Sequence, residues 1–288
     1  MSTVWRLRQR SLTLDHPVVM GIVNVTPDSF SDGGQFFSAS AALAHAAKLV
    51  AEGAEILDIG GESTRPQHAE PVPVDEELRR VLPVVRAIAT ERPETIISVD
   101  TVKAAVAEAA IEAGAHIVND VSGLTLDAGI AGVCAAGGVG VVIMHSRGNV
   151  TDMATYAHAG YANFLEEMLD ELHDRVKAAE RAGIERERIA VDPGIGFSKR
   201  GEHSLLALAC LERLVAWGYP VVVGASRKRF IGQLTGNTEP VRRVWGSVGA
   251  AVAAYERGAR VLRVHDVGPT RQALDVVAAV RNAGGAPA

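Results

Sequence analysis

Polar side chains stand at the far ends of short β-branched runs throughout this 288-residue sequence. Asn24 closes one run, and Asp58, followed by Glu62-Ser63-Thr64-Arg65, closes the next. Asp100, Asn119-Asp120, His145, Asp192, Ser226-Arg227-Lys228, and Arg263 with His265-Asp266 close the others. One or two of these are explained as helix N-caps, Asp100 before Thr101-Val102 among them. A full ring of charged and amide groups is costly to hold unless it faces a polar ligand. Asp accepts hydrogen bonds, whereas Asn both donates and accepts. Together they match the edge of a flat heterocycle that carries N–H donors and ring-nitrogen acceptors. Arg263 and His265 lie two residues apart on one run, so they point to the same face, a pair suited to phosphate. A heteroaromatic head with a phosphorylated tail fits both halves.

The elements that position these residues follow one pattern. A helical stretch ends at Gly and a short β-branched run follows at once, over 52–61, 112–123, 135–148, 181–196, 216–226 and 256–268. Gly suits the left-handed residue that closes a helix, and runs such as VVIM and PVVVGA suit strands buried on both faces. Residues 17–26 and 94–101 add two more strands, eight in all. Between them, Leu78, Val81, Leu82, Val85 and Ile88 repeat at the spacing of one buried helix face. Leu165, Met168, Leu169, Leu172 and Val176 do the same. The other helices are expected near 38–52, 102–113, 126–136, 202–217, 239–257 and 269–283. Alternation of this kind predicts an α/β fold, a (β/α)8 TIM barrel, with an open doubly wound sheet as the competitor. A short N-terminal β-hairpin over about 4–15 precedes a barrel over about 17–284, one domain across 1–288. In such barrels the chemistry lies at the C-terminal strand ends. The Gly- and Pro-rich loops 26–34 and 60–73 are long enough to act as mobile lids there.

Composition narrows the classes. With 48% hydrophobic and 22% charged residues, the chain reads as globular rather than disordered. A net charge of −5 argues against nucleic acid or an anionic membrane as partner. The longest uncharged run, Ala128 to Met144, is shorter than the ~20 residues of a spanning helix. The first fifteen residues have no apolar core of the signal-peptide kind. Cys134 and Cys210 form no metal or disulfide spacing and read as buried bystanders in a reducing cytoplasm. His145 reads as structural, supporting the pocket floor.

The motifs MGIVNVTPDSFSDGG (20–34), GAEILDIGGESTRP (53–66), ISVDT (97–101), IVNDVSG (117–123), MHSRG (144–148), DPGIGFSK (192–199), GASRKRFIG (224–232) and RVHDV (263–267) occur in one order over nearly the whole chain. Each alone is weak. Together the set resembles the dihydropteroate synthase family. That resemblance implies a (β/α)8 barrel, usually a homodimer, and a transferase of folate biosynthesis that is the target of sulfonamides. The implied reaction condenses 6-hydroxymethyl-7,8-dihydropterin diphosphate with 4-aminobenzoate to give 7,8-dihydropteroate and diphosphate.

The resemblance also implies roles. Asp100, Asn119, Asp192 and Lys228 form the pterin pocket, with Met144 and Gly224 as apolar or backbone wall. Arg263 and His265 anchor the diphosphate, joined by Asn24, which lies beside Mg2+. Thr64, Arg65 and Pro66 belong to the second mobile loop, and Asp28 to Gly33 to the first. Phe197 and the Ser226-Arg227-Lys228 turn wall the aminobenzoate site. The expected catalytic set is Asp100, Lys228, Arg263, His265, Arg65 and Asp28. Four positions depart from the family pattern. Arg229 stands where Ser is frequent, Ser198 where Gly is common, and Gln67-His68 where Gly-Ala is usual.

An aniline-type nitrogen is a weak nucleophile, so the greatest gain comes from stabilising departure of the leaving group. A Mg2+-assisted dissociative substitution at the pterin methylene carbon is therefore expected. Two rivals remain at this stage. A pterin-dependent methyltransferase shares the Asp/Asn/Asp pocket but needs neither the SRK turn nor the RVH pair. A non-catalytic paralogue that binds pterin or phosphate would be expected to lose lid or anion residues.

Overall fold

The computed structural model describes residues 4–25, 35–62 and 71–284, the backbone only for 35–38. Two short antiparallel strands come first, β1 (Val4–Arg6) and β2 (Ser11–Thr13). Then β3 (Val18–Asn24), β4 (Ile56–Gly60), β5 (Ile96–Asp100) and β6 (Ile117–Asp120) form half of a parallel sheet. The other half is β7 (Gly140–Met144), β8 (Ile189–Asp192), β9 (Val222–Val223) and β10 (Val261–Val264). Each strand pairs with the next in sequence, and β10 returns to β3 through Val261–Val18. A bridge between Val191 and Val221 closes β8 on β9. The sheet is a closed (β/α)8 barrel, and the open-sheet alternative falls.

Outside it run α1 (Gln35–Ala51), α2 (Val74–Glu91), α3 (Ala104–Glu112), α4 (Ile130–Gly137) and α5 (Phe164–Arg181). They are followed by α6 (Gly201–Ala209), α7 (Leu211–Val215), α8 (Arg229–Thr235), α9 (Val244–Glu256) and α10 (Val267–Ala283). The buried face of α2 is Val81, Val84, Val85 and Ile88, with Leu78 and Leu82 at its margin. The helix expected over 202–217 is two, broken at Cys210, where the backbone leaves helical geometry (φ −109°, ψ 22°). That cysteine is only half-buried. The short α8 was not expected, because seven residues give too little periodicity to read. None of the described helices is long and apolar enough to cross a membrane.

Side chains alternate along each strand, and this alternation builds two layers. One set faces the helices: Val19, Val23, Leu57, Ile59, Ile97, Val99, Val118, Val141, Ile143, Val191, Leu262 and Val264. The other faces the barrel axis, beginning with Val18, Met20, Ile56, Ile96, Ile117, Val142, Ala190, Val222 and Val261 at the N-terminal end. Trp5 and Leu7 from the hairpin, with Leu14, pack into this second cluster. The hairpin thus plugs the bottom of the barrel, each side chain contributing about 1.5–3 kcal/mol. The plug needs Gly140: a Cβ there would lie 2.6 Å from Leu7 Cδ2.

Steps of two from the axial apolar layer reach the other end of the barrel. Ile22 leads to Asn24, Ile56 to Asp58, Ser98 to Asp100 and Ile117 to Asn119. Val142 leads to Met144, Ala190 to Asp192, Val222 to Gly224 and Val261 to Arg263. The same alternation that fills the bottom with hydrocarbon therefore aims the polar residues into the mouth.

Candidate active site

Adjacent strands hold several of these residues on one rung. Asn24 pairs with Gly60, Gly60 with Asp100, and Asp100 with Asn119. Met144 pairs with Asp192 further round. A cavity of about 580 Å³ opens above them, lined by Asn24, Asp100, Phe197, Gly224, Ser226, Lys228, Arg263 and His265 among others. Asn119, Met144 and Asp192 stand beside it, 4–5% exposed.

The centre is an ion network. Arg263 Nε donates to Asp58 Oδ2 at 2.6 Å and Nη2 to Asp100 Oδ2 at 2.6 Å. Asn119 Nδ2 donates to the same Asp58 oxygen at 3.0 Å. Burial pushes the Asp100 carboxyl above the usual range, Arg263 pulls it back, and Asp58 pushes it up again. Asp192 Oδ1 accepts from the Gly194 N–H at 2.6 Å. Burial raises its pKa to about 6, against the pull of that hydrogen bond and of Lys228. A Cβ on Gly224 would lie 4.0 Å from Asp192 Oδ2 and 3.8 Å from Arg263 Cδ, so all three are neighbours.

Lys228 faces the same space. Burial and the Arg263 charge lower its pKa to about 7, with Asp192 acting the other way. Its Nζ lies 3.9 Å from the centre of the Phe197 ring. Phe197 and Met144 share one apolar cluster with Val102, Val121, Met153 and Ala154. An apolar wall thus stands against the charged edge, the arrangement a flat polar ring needs.

The Ser226-Arg227-Lys228 turn is clipped to the last strand end. Ser226 Oγ lies 3.0 Å from His265 Nδ1 and accepts from the His265 N–H at 3.2 Å. Arg227, in the left-handed region (φ 59°), makes two hydrogen bonds to Asp266 at 2.9 and 2.6 Å. The turn and the basic pair therefore form one unit.

The pterin-binding enzyme model matches residues 20–265. The chain is 45% identical over 273 residues to dihydropteroate synthase of Escherichia coli strain K12, covering 95% of each. The chain belongs to the dihydropteroate synthase family. A Xanthomonas albilineans member of the family, solved with 4-aminobenzoic acid, superposes with a TM-score of 0.91 at 48% identity. That match covers 98% of this chain and 99% of the other. A Yersinia pestis member in complex with a sulfonamide drug gives 0.89 at 41% identity, covering 97% and 99%. As a member of the family the chain is an enzyme, a transferase.

Asn24, Asp100, Asn119, Met144, Asp192, Phe197, Gly224, Ser226, Lys228, Arg263 and His265 all gather around the mouth. Asp28, Thr64 and Arg65 lie outside the described residues. Of the departures from the family pattern, Arg229 lies with its guanidinium 4.3 Å over Tyr156 and donates to the Ala154 carbonyl at 2.6 Å. Ser198 occupies the left-handed region (φ 50°), which explains why Gly is common there. Gln67-His68 lie outside the described residues.

Two residues of the site escaped the sequence reading of roles. Asp58 was placed at a strand end but given no partner, whereas it is the buried counter-charge of Arg263. Lys199, inside DPGIGFSK, was given no role at all, yet it is 1% exposed at the back of the cavity. The scarcity of lysine was its only signal.

Proposed function

We propose that this mouth binds 6-hydroxymethyl-7,8-dihydropterin diphosphate and 4-aminobenzoate and joins them into 7,8-dihydropteroate, releasing diphosphate. The observation that carries the reading is one connected set of acceptors and cations around one cavity. Asp100, Asn119 and Asp192 present acceptors and an amide, and Lys228 a donor, to a bicyclic nitrogen ring. Arg263 and His265 stand at the adjoining end, where the anionic tail would lie.

The chemistry follows from charge. The bond between the methylene carbon and the diphosphate oxygen breaks, and its electron pair leaves with diphosphate. Among the described residues Arg263 gives side-chain hydrogen bonds to Asp58 and Asp100 alone, and with His265 it takes up the growing negative charge through its other N–H groups. Asp100 and Asp192 stabilise the electron-poor ring left behind. Phe197 and Lys228 wall the second substrate so that its amine lone pair forms the new C–N bond. The amine proton then passes to diphosphate or water, and no protein base is required. Asp28 and Arg65, which lie outside the described residues, would help to keep water from the cation.

Mg2+ suits this donor set. Asn24 offers a hard amide oxygen beside the anion end. Among the described residues no group of three acidic, His or Cys side chains holds a metal unaided. Mg2+ usually takes one or two protein oxygens and completes its shell with substrate phosphate and water, so Asn24 with the diphosphate would hold it. Bound there, the ion supplies further neutralisation of the leaving group.

Three lesser proposals accompany this one. Sulfonamides would compete with aminobenzoate at the Phe197 and Lys228 wall. A homodimer would cover exposed Trp245 on α9 and Val276 and Val280 on α10. The cytoplasm suits the two free thiols, the buried Cys134 being pushed up to about 12 by burial. The deciding experiment measures diphosphate release with and without 4-aminobenzoate in the presence of Mg2+. Release coupled to dihydropteroate formation is expected, and its absence with both substrates saturating sinks the reading.

A further inference from the structure

Behind the aminobenzoate wall lies a buried polar relay with no place in the mechanism above. Lys199 Nζ lies 2.7 Å from His145 Nδ1, 3.0 Å from the Phe197 carbonyl and 3.3 Å from the His145 carbonyl. The amine meets three acceptors here, and burial lowers its pKa well below the ordinary lysine value. Burial, with the Lys199 charge adding to it, pushes the His145 pKa down to about 3, so the imidazole is neutral. With Nδ1 accepting from Lys199, its proton sits on Nε2, 3.1 Å from Glu171 Oε2. Glu171 in turn receives Arg147 Nε at 3.0 Å. Its pKa is held down at about 2, the upward push of burial being outweighed by hydrogen bonds from His145 and Arg147.

The relay ties two catalytic loops together. His145 follows the end of β7, directly after Met144. Phe197 lies in the loop after β8, which turns through left-handed residues at Gly194, Gly196 and Ser198. Gly194 passes so close that a Cβ would meet the His145 carbonyl at 1.9 Å. Ser198 Oγ donates to the Arg147 carbonyl at 2.6 Å and accepts from the Arg147 N–H at 2.9 Å. The loop is therefore drawn against 144–147, and Lys199 is the side chain that holds the Phe197 carbonyl in that position. Lys228 Nζ lies over the Phe197 ring, 3.9 Å from its centre. A hydrocarbon side chain would fill the Lys199 space but leave two carbonyls and an imidazole nitrogen unpaired, at a cost no apolar contact repays.

We propose that Lys199 is a positioning residue, which through the Phe197 carbonyl sets the ring wall against which the aminobenzoate is placed. This rests on the reading of Phe197 and Lys228 as that wall. Of the ring-binding acceptors, Asp100 and Asn119 stand on strands that Lys199 does not touch, and Asp192, at the end of β8, is fixed by the Gly194 N–H, so the pterin substrate responds less to its loss than the aminobenzoate does.

The test is a set of variants assayed beside the wild type. Lys199→Met is expected to raise KM for 4-aminobenzoate by about tenfold or more, with the Kd of the pterin diphosphate changed by less than about threefold. His145→Leu, which removes the acceptor, is expected to show the same split. His145→Asn, whose amide oxygen replaces Nδ1, is expected to stay near wild type. An unchanged KM in Lys199→Met, or equal loss for both substrates, overturns the role. If Lys199→Met does not fold, the His145 pair decides, and identical kinetics in Asn and Leu variants overturn it. A wild type without turnover overturns the functional reading instead, which separates the two failures.

Discussion

Arg263 on β10 and Asp100 on β5 meet inside the barrel mouth at 2.6 Å, although 163 residues separate them. The same guanidinium holds Asp58, so one cation ties two carboxylates in the lining of the pocket. Replacing Arg263 by Met leaves both acids buried without their cation, Asp58 keeping only the Asn119 amide. Breaking a buried pair in this way costs about 3–5 kcal/mol. Chemical denaturation should show that loss, together with abolished turnover. Arg263→Lys keeps the charge but cannot fork between both carboxylates, so turnover should still fall steeply. Stability and turnover both unchanged in Arg263→Met would contradict the network.

Asp192 should trade stability for binding. Its pKa rises on folding from 3.8 to about 6. A carboxyl of this kind favours the folded state most at low pH, and that favour is lost as pH rises through this window. At neutral pH the penalty is about 3 kcal/mol by linkage. Asp192→Asn keeps an oxygen for the Gly194 N–H and removes the buried charge. Its melting temperature at pH 7.5–8 should therefore rise by a few degrees, while pterin binding falls because a donor now faces ring N–H groups. A variant both less stable and fully competent would refute the assignment.

Pterin affinity should depend on pH in a bell. Below about pH 6 Asp192 takes up a proton, so that one oxygen becomes a donor and the charge is lost, and above about pH 7 Lys228 loses its proton and its charge. Calorimetry across pH 5 to 9 should place the optimum between these limits, roughly at neutrality. A flat profile would show that neither group meets the ring.

The plug at the other end should affect stability alone. Gly140→Ala forces a methyl against Leu7 and should cost about 1–3 kcal/mol by overpacking. Its kcat and KM at 25 °C should equal those of the wild type. A kinetic defect without loss of stability would mean that the two ends of the barrel are coupled.

Much of this arrangement was legible in the sequence because strand periodicity is strict. Once Ile96, Ile117 and Ala190 are taken as interior, Asp100, Asn119 and Asp192 follow by counting in twos. Charge pairing was not legible in the same way. Asp58 and Arg263 share an interior face, but only closure of the barrel decides which acid each guanidinium reaches. Lys199 was hidden for another reason: it lies in a loop turned by three left-handed residues, where no period predicts direction. The hairpin was seen as an element but not as a plug, since its partners come from eight different strands.

The most direct measurement is a crystal structure with the pterin diphosphate bound. The expected result is a bicyclic ring contacting Asp100, Asn119, Asp192 and Lys228, with its diphosphate on Arg263 and His265. A ring bound elsewhere, or a diphosphate remote from Arg263 and His265, would contradict the assignment of this mouth as the catalytic site.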